Sequence, residues 1–228
     1  MSGSFYCLDN DIILKLVTFN LFGDTLTTFS IDASQVKILD TFQYKVGNSI
    51  KRKRGNQISN ISQENREEAL QLTKNYVTLS ESSIDKIDIN IYTKLLNYND
   101  QNNTIDKGEA ILISHICYLN QQNDINYLLT GDKRCLRALT NSGFTDVIEH
   151  LNRKVWCLEQ LILKDIEEFG FDAIQAKIYP VRSCDSNIKF IFGFSEKAPE
   201  DRVKEDLKSA IIVLKQETGN LLYPYPNS

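Results

Sequence analysis

Histidine, paired cysteine and long apolar runs are scarce in this 228-residue chain, and each scarcity closes off a class of function. Only His115 and His150 are present, without paired spacing, so the imidazole cluster of a zinc site is not expected. The cysteines (Cys7, Cys117, Cys135, Cys157, Cys184) are odd in number and include no CxxC pair. Three of them lie in apolar stretches, where a thiol packs as a small hydrophobe, so reduced structural cysteines are expected. No apolar run approaches the ~20 residues of a membrane span. The N-terminal MSGSFYCLDN lacks the basic-then-apolar layout of a signal peptide. Excess positive charge is also missing: 26 Lys and Arg against 30 Asp and Glu leave a net charge of -4, so no global field advertises a nucleic acid. Together these absences predict a soluble cytoplasmic protein with no membrane association.

What is present suits a globular protein. At 42% hydrophobic and 25% charged, the chain has enough apolar residues for a proper core, and its length allows one large domain or a domain with an extension. The basic residues are clustered: Lys51, Arg52, Lys53 and Arg54 run together, and Lys133, Arg134 and Arg137 follow closely on Asp132.

Three strand-turn-helix units stand out. Phe5 to Leu8 form a short apolar strand, Asp9-Asn10-Asp11 a polar turn, and Ile12 to Val17 have helical apolar density. The second unit places a strand at Tyr127 to Leu129, a turn at Thr130-Gly131-Asp132 and a helix to Leu139. The third has Val155 to Cys157 extended and a helix from Leu158. Strands alternating with helices predict an α/β protein, three-layer α/β/α around a central parallel sheet. Between the first two units lies an insert of about residues 40 to 100. Gly47 to Ser62 read as an exposed loop, and helices are predicted at Gln63 to Leu79, Asp88 to Leu96 and, beyond the insert, Lys107 to Asn120. Residues 1–165 would form the core domain, and 166–228 a small α+β extension. Its expected strand pair covers Ile174 to Tyr179 and Ile188 to Phe194, followed by a helix opened by Pro199 and ending near Gly219.

Asp9 and Asp132 hold equivalent places, directly after a strand and before a helix. Strand carboxyl ends of a parallel sheet share one edge, where ligands bind, so the two carboxylates should converge there. Glu159 follows the third strand in the same manner. Gathered carboxylates repel one another unless a cation compensates, and hard divalent ions take such oxygens together with substrate phosphate. Each acid also has a plainer role: Asp9 and Asp132 as helix N-caps, Glu109 with Asp106 as a capping box, and Glu159 as a solvated first-turn residue.

The ordered segments YCLDNDIILKL, DKGEAILISHI and YLLTGDKRCLRAL resemble the motifs of PIN-domain nucleases. The likeness covers roughly residues 5 to 20 and 104 to 165, with Asp11 where the family often has Asn. The resemblance implies that Asp9, Glu109 and Asp132 hold Mg²⁺ or Mn²⁺ and that Thr130 helps to position a water or phosphate. It also implies hydrolysis of RNA, such as tRNA, to a 5′-phosphate and a 3′-hydroxyl, in a toxin or defence role. The family often has a fourth acid. Glu159 is the first choice for it, ahead of Asp11 and Asp146. The basic run Lys51, Arg52, Lys53 and Arg54, with Lys133, Arg134 and Arg137, would grip substrate phosphates without reading sequence, and Tyr44 would stack on a base. Besides RNA, the partners to consider are an antitoxin or larger complex and a second copy of the chain.

Two competing readings remain. LDNDII and TGDKRCL resemble the motifs of haloacid-dehalogenase-type phosphatases, which would make Asp9 a nucleophile and Asp11 indispensable. That family's Gly-Asp motif has another acid four residues on, where this chain has Leu136. The other reading is a non-catalytic RNA- or protein-binding module whose acids serve only as caps.

Overall fold

The computed structural model describes residues 4–51, 61–80, 86–122 and 125–226, with the side chains of 49–51 and 100 left undescribed. Five parallel strands form one sheet: β1 (Tyr6–Leu8), β2 (Val36–Leu39), β3 (Val77–Leu79), β4 (Tyr127–Thr130) and β5 (Val155–Cys157), in the order β3-β2-β1-β4-β5. Their sequences YCL, VKIL, YLLT and VWC are nearly continuous apolar runs in β1, β2, β4 and β5, as expected of strands covered on both faces. Tyr6 pairs in register with Val36 on one side and Tyr127 on the other, so β1 lies at the centre. From β1 the chain runs outward to β2 and β3, then returns to lay β4 on the other flank. The strand order therefore switches between β1 and β4, and the crevice beyond their carboxyl ends is where an open α/β sheet holds a ligand. The expected three-layer α/β/α architecture is what forms.

Helices flank the sheet. They are α1 (Asn10–Thr18), α2 (Phe22–Thr28), α3 (Thr41–Lys51), α4 (Gln63–Thr73), α5 (Ile89–Asn102), α6 (Lys107–Gln121), α7 (Lys133–Asn141), α8 (Thr145–Leu151), α9 (Leu158–Phe169), α10 (Phe171–Ile178), α11 (Ser186–Phe192) and α12 (Glu200–Thr218). In α6 an unbroken run from Ala110 to Cys117 is buried, so this helix is a core element with no solvent face over those two turns. Inside the insert the sequence expectation is corrected twice. The expected loop from Gly47 is helical as far as Lys51, and the helix from Gln63 stops at Thr73, leaving Val77–Leu79 as β3.

The C-terminal strand pair is also overturned. Ile174 to Tyr179 and Ile188 to Phe194 fall in α10, a 3-10 turn (Tyr179–Cys184) and α11. Phe171, Ile174 and Ile178 are buried together, as are Ile188, Ile191 and Phe192; both sets have the 3-4 spacing of a helix face, which local alternation had masked. This C-terminal part shares the main core. Val203, Leu207, Ile211 and Leu214 of α12 are buried in the same cluster as the sheet, and Leu222 forms a parallel bridge to Val155. Tyr223 stacks on Trp156 with ring centroids 4.4 Å apart. Leu222 is 3% exposed, so Leu222→Ala is expected to cost about 2–5 kcal/mol, read as a fall in the urea midpoint at unchanged slope. Among the described residues no helix is long and apolar enough to cross a membrane.

Candidate active site

An open pocket of about 300 Å³ lies at the carboxyl edge of β1 and β4, lined by Asp9, Asp11, Asp106, Glu109 and Asp132. Lys45, Arg66, Asn10 and the apolar Leu14, Leu39 and Val46 complete it. Asp9 and Asp132, singled out by position, thus share one cavity with Glu109, singled out by the motif resemblance, and the three reach it from three elements.

Asp9 ends β1 and precedes α1, yet its side chain makes no capping bond to that helix. Its Oδ2 instead accepts from Thr130 Oγ1 at 3.1 Å, and its backbone N–H donates to Leu129 O at 3.0 Å across the sheet. At 7% exposure, desolvation and then the nearby Asp11 charge push its carboxyl up to about 7, against the opposing hydrogen bond from Thr130. Capping therefore fails to explain Asp9.

The other two acids do serve as caps. Glu109 and Asp106 form a reciprocal capping box: Asp106 N–H donates to Glu109 Oε2 at 2.6 Å, and Glu109 N–H donates to Asp106 Oδ1 at 2.9 Å. Desolvation, with Asp9, Asp132 and Asp106 adding charge, holds Glu109 well above the usual carboxylate range despite the N–H bond it accepts. Gly108 makes this approach possible, because a Cβ there would stand 2.9 Å from Leu39 Cδ1 and 3.1 Å from Asp106 Oδ1. Asp132 caps α7 through the N–H groups of Arg134 and Cys135 at 2.8 and 3.1 Å. Burial pushes its carboxyl up, but Arg134, at 2.9 Å, and these N–H groups hold it below the ordinary value.

Thr130 plays a different part from the one expected. Its hydroxyl hydrogen goes to Asp9 and its oxygen accepts from Asp132 N–H at 3.0 Å, so it ties the ends of β1 and β4 together. Glu159, the first choice for a fourth acid, does not line the pocket. It is 1% exposed, and its Oε1 accepts from Lys133 Nζ and from Asn187 Nδ2 at 2.6 Å. Lys133 is accordingly engaged by Glu159. Arg137 pairs with Glu217 of α12 at 2.6 Å, and Asp146 with Lys94 at 2.6 Å, outside the pocket in both cases. Arg134, with its side chain 75% exposed, is the member of this basic group beside the acids. Lys51 ends α3, while Arg52, Lys53 and Arg54 lie outside the described residues. Tyr44, one residue before the pocket-lining Lys45, is 73% exposed.

Asp11, the second choice, does line the pocket. It pairs with Lys15 at 2.7 Å, and Lys15 also pairs with Asp185 at 2.8 Å. A Cβ at Gly131 would run into the Asp11 carboxylate, so the turn after β4 is moulded around this pair. Sequence reasoning missed Lys45 and Arg66, which bring positive charge from α3 and α4. Lys45 stands 3.3 Å from Asp106. Asn10, also missed, has a buried Oδ1 without a hydrogen-bond partner among the described residues.

Among the described residues, no three His, Cys, Asp or Glu side chains are gathered closely enough to hold a metal ion as they stand. The donor chemistry nevertheless suits a hard divalent ion: the donors are carboxylate oxygens, and burial, with neighbouring acid charge added, raises the Asp9 and Glu109 carboxyls above their ordinary range. No family model matches the chain, and no curated protein or solved structure matches it.

Proposed function

We propose that this protein is a metal-dependent nuclease of the PIN type that hydrolyses phosphodiester bonds in cytoplasmic RNA. The observation that carries this reading is the meeting of Asp9, Glu109 and Asp132 in one open pocket at the strand-order switch, with Asp9 serving no cap. The resemblance between three ordered sequence segments and the PIN motifs supports it, and so does the pairing of β1 with β4, the strands that the first and third segments contain. A toxin or defence role restrained by an antitoxin belongs to the same proposal.

Asp9, Glu109 and Asp132 would hold Mg²⁺ or Mn²⁺, whose charge neutralises the phosphodiester and acidifies water when bound. The chain's own residues prepare the site for this. Thr130 fixes the Asp9 carboxylate, the capping box fixes Glu109, and Arg134 balances Asp132. Lys45 and Arg66 bring positive charge to the rim, where substrate phosphate would enter. Burial raises the Glu109 and Asp9 carboxyls toward and above neutral pH, so Mn²⁺ uptake near pH 7 should release protons to solution.

The test is cleavage of tRNA and total RNA with Mn²⁺ or Mg²⁺, against EDTA and three variants. Asp9→Asn and Asp132→Asn should lower the rate by roughly 10²–10³-fold, the scale of removing one charge-stabilising group. Asp11→Asn should lose no more than about ten-fold. Absence of cleavage by folded wild type with either metal overturns the nuclease reading. Phosphate-ester hydrolysis that disappears in Asp11→Asn would replace it with a phosphatase.

A further inference from the structure

The strongest unexplained surface lies on α11 and the loop after it. Phe190 and Phe194 are 52% and 58% exposed, with ring centroids 6.2 Å apart in an edge-to-face pair. Lys189 Nζ sits 5.2 Å from the Phe194 ring, and Lys197 Nζ sits 5.6 Å from the Tyr179 ring. Among the described residues neither lysine pairs with a carboxylate. Glu196 is the sole acid between 186 and 198.

This surface is rigidly built. Arg182 donates to Gly193 O, Tyr179 O and Phe194 O at 2.5, 2.5 and 2.6 Å, and Tyr179 Oη donates to Ser195 O at 2.9 Å. Gly193 has φ +100°, and a Cβ there would strike Glu196 O, so the loop turns where only glycine fits. Beneath it, Gln175 Nε2 holds Ala198 O at 2.7 Å. Exposed phenylalanines on a fixed scaffold lose little conformational freedom when something stacks on them.

The helix that carries this surface is tied to the acid pocket at its N-terminal end. Asp185, the N-cap of α11, pairs with Lys15, which pairs with the pocket-lining Asp11; Asn187 bonds Glu159. Phe190 follows Asp185 by about a turn and a half of helix.

We infer that Phe190 and Phe194, flanked by Lys189 and Lys197, are a stacking platform for unpaired bases, which feeds a single-stranded segment of RNA toward the acid pocket. Aromatic faces accept any base, and the lysines meet the phosphates between them, so the platform selects strandedness and ignores sequence. The assignment of substrate class rests on the nuclease reading; the binding surface itself does not need catalysis.

The deciding experiment measures fluorescence anisotropy of a labelled 15-mer oligouridylate with full-length protein in EDTA. Phe190→Ala/Phe194→Ala should weaken binding about ten-fold or more, while the melting temperature holds because both rings are exposed. Lys189→Gln/Lys197→Gln should flatten the salt dependence by a slope of about 1.4, for two phosphate contacts on a single strand. Duplex RNA of the same length should compete poorly. Equal oligouridylate binding by the phenylalanine variant overturns the platform, as does wild type that fails to bind or prefers the duplex. A concentration-dependent dimer lost in that variant, with oligouridylate binding intact, would reassign the surface to a protein contact. Oligouridylate binding without metal-dependent cleavage would retain the platform and reject the nuclease. Where cleavage occurs, the phenylalanine variant should raise KM with kcat unchanged.

Discussion

Asp9→Asn is expected to slow metal-dependent cleavage by roughly 10²–10³-fold while making the metal-free protein more stable at pH 8. Burial and the Asp11 charge lift the Asp9 carboxyl to about 7 in the folded state, against an ordinary value of 3.8. The folded protein therefore binds this proton more tightly than the unfolded chain does. The resulting stability is fully present below about pH 3.8, declines as pH rises, and is gone above about pH 7. At pH 8 the ionised Asp9 opposes folding by an amount on the order of 4 kcal/mol, which the neutral amide removes. Asn also keeps an oxygen to accept the Thr130 hydroxyl, so the link between β1 and β4 survives. Thermal melts from pH 4 to pH 8 check this: the variant's advantage should grow with pH and vanish near pH 4. Mn²⁺ should stabilise wild type and leave the variant nearly unmoved. A variant less stable than wild type at pH 8 would show that Asp9 is a structural residue, and the site would lose its central acid.

Lys133→Met should be among the most destabilising single changes near the pocket. It removes the cation from Glu159, a carboxylate 1% exposed whose Oε2 already lacks a hydrogen-bond partner among the described residues. Breaking a buried pair by removing one partner leaves an uncompensated charge. Lys133 keeps some solvent contact, which places the cost at about 3 kcal/mol, roughly 6–12 °C in melting temperature. The double variant Lys133→Met/Glu159→Gln should recover most of that loss, because the amide is neutral and its oxygen still accepts from Asn187. The same pair decides what Glu159 does. As a brace between the ends of β4 and β5, Glu159→Gln should fold and retain cleavage. Loss of cleavage in a folded Glu159→Gln would restore it as a working acid of the site.

The central and right-hand strands were legible because each is a compact apolar run closed by a polar turn. Tyr6–Leu8 meets Asp9, Tyr127–Thr130 meets Gly131-Asp132, and Val155–Cys157 opens straight into α9. The other two strands gave no such signal. In β2, Lys37 interrupts the run, and only the fold shows its amino group over the Phe5 ring at 4.0 Å and beside His115. In β3, an edge strand, Val77 is 46% exposed and only Leu79 is buried. The C-terminal helices were misread because Ile174 to Tyr179 alternates over six residues, too short a window to separate a period of 2 from one of 3.6.

At the site, positional logic found Asp9 and Asp132, each placed between a parallel strand and a helix at the shared edge, while Glu109, in the first turn of α6, came only from the motif resemblance. It failed for Glu159, which holds the equivalent position after β5. There Lys133, the first residue of α7, reaches across and takes the carboxylate, a pairing no spacing rule contains. Lys45 and Arg66 were invisible for a related reason: only the crossing of the insert over β1 brings α3 and α4 to the pocket.

The central position of β1 has a consequence for the protein's synthesis. Asp9 is synthesised well before Thr130, which supplies its hydrogen bond 121 positions later, and Asp132 follows that. Val155 of β5, which pairs with β4, and its bridge partner Leu222 come later still. At about 5–20 residues per second, the nascent chain passes many seconds with its acids apart. The carboxylate pocket can therefore assemble only after both flanks of β1 have been made, and the chemistry proposed for it waits on that late pairing.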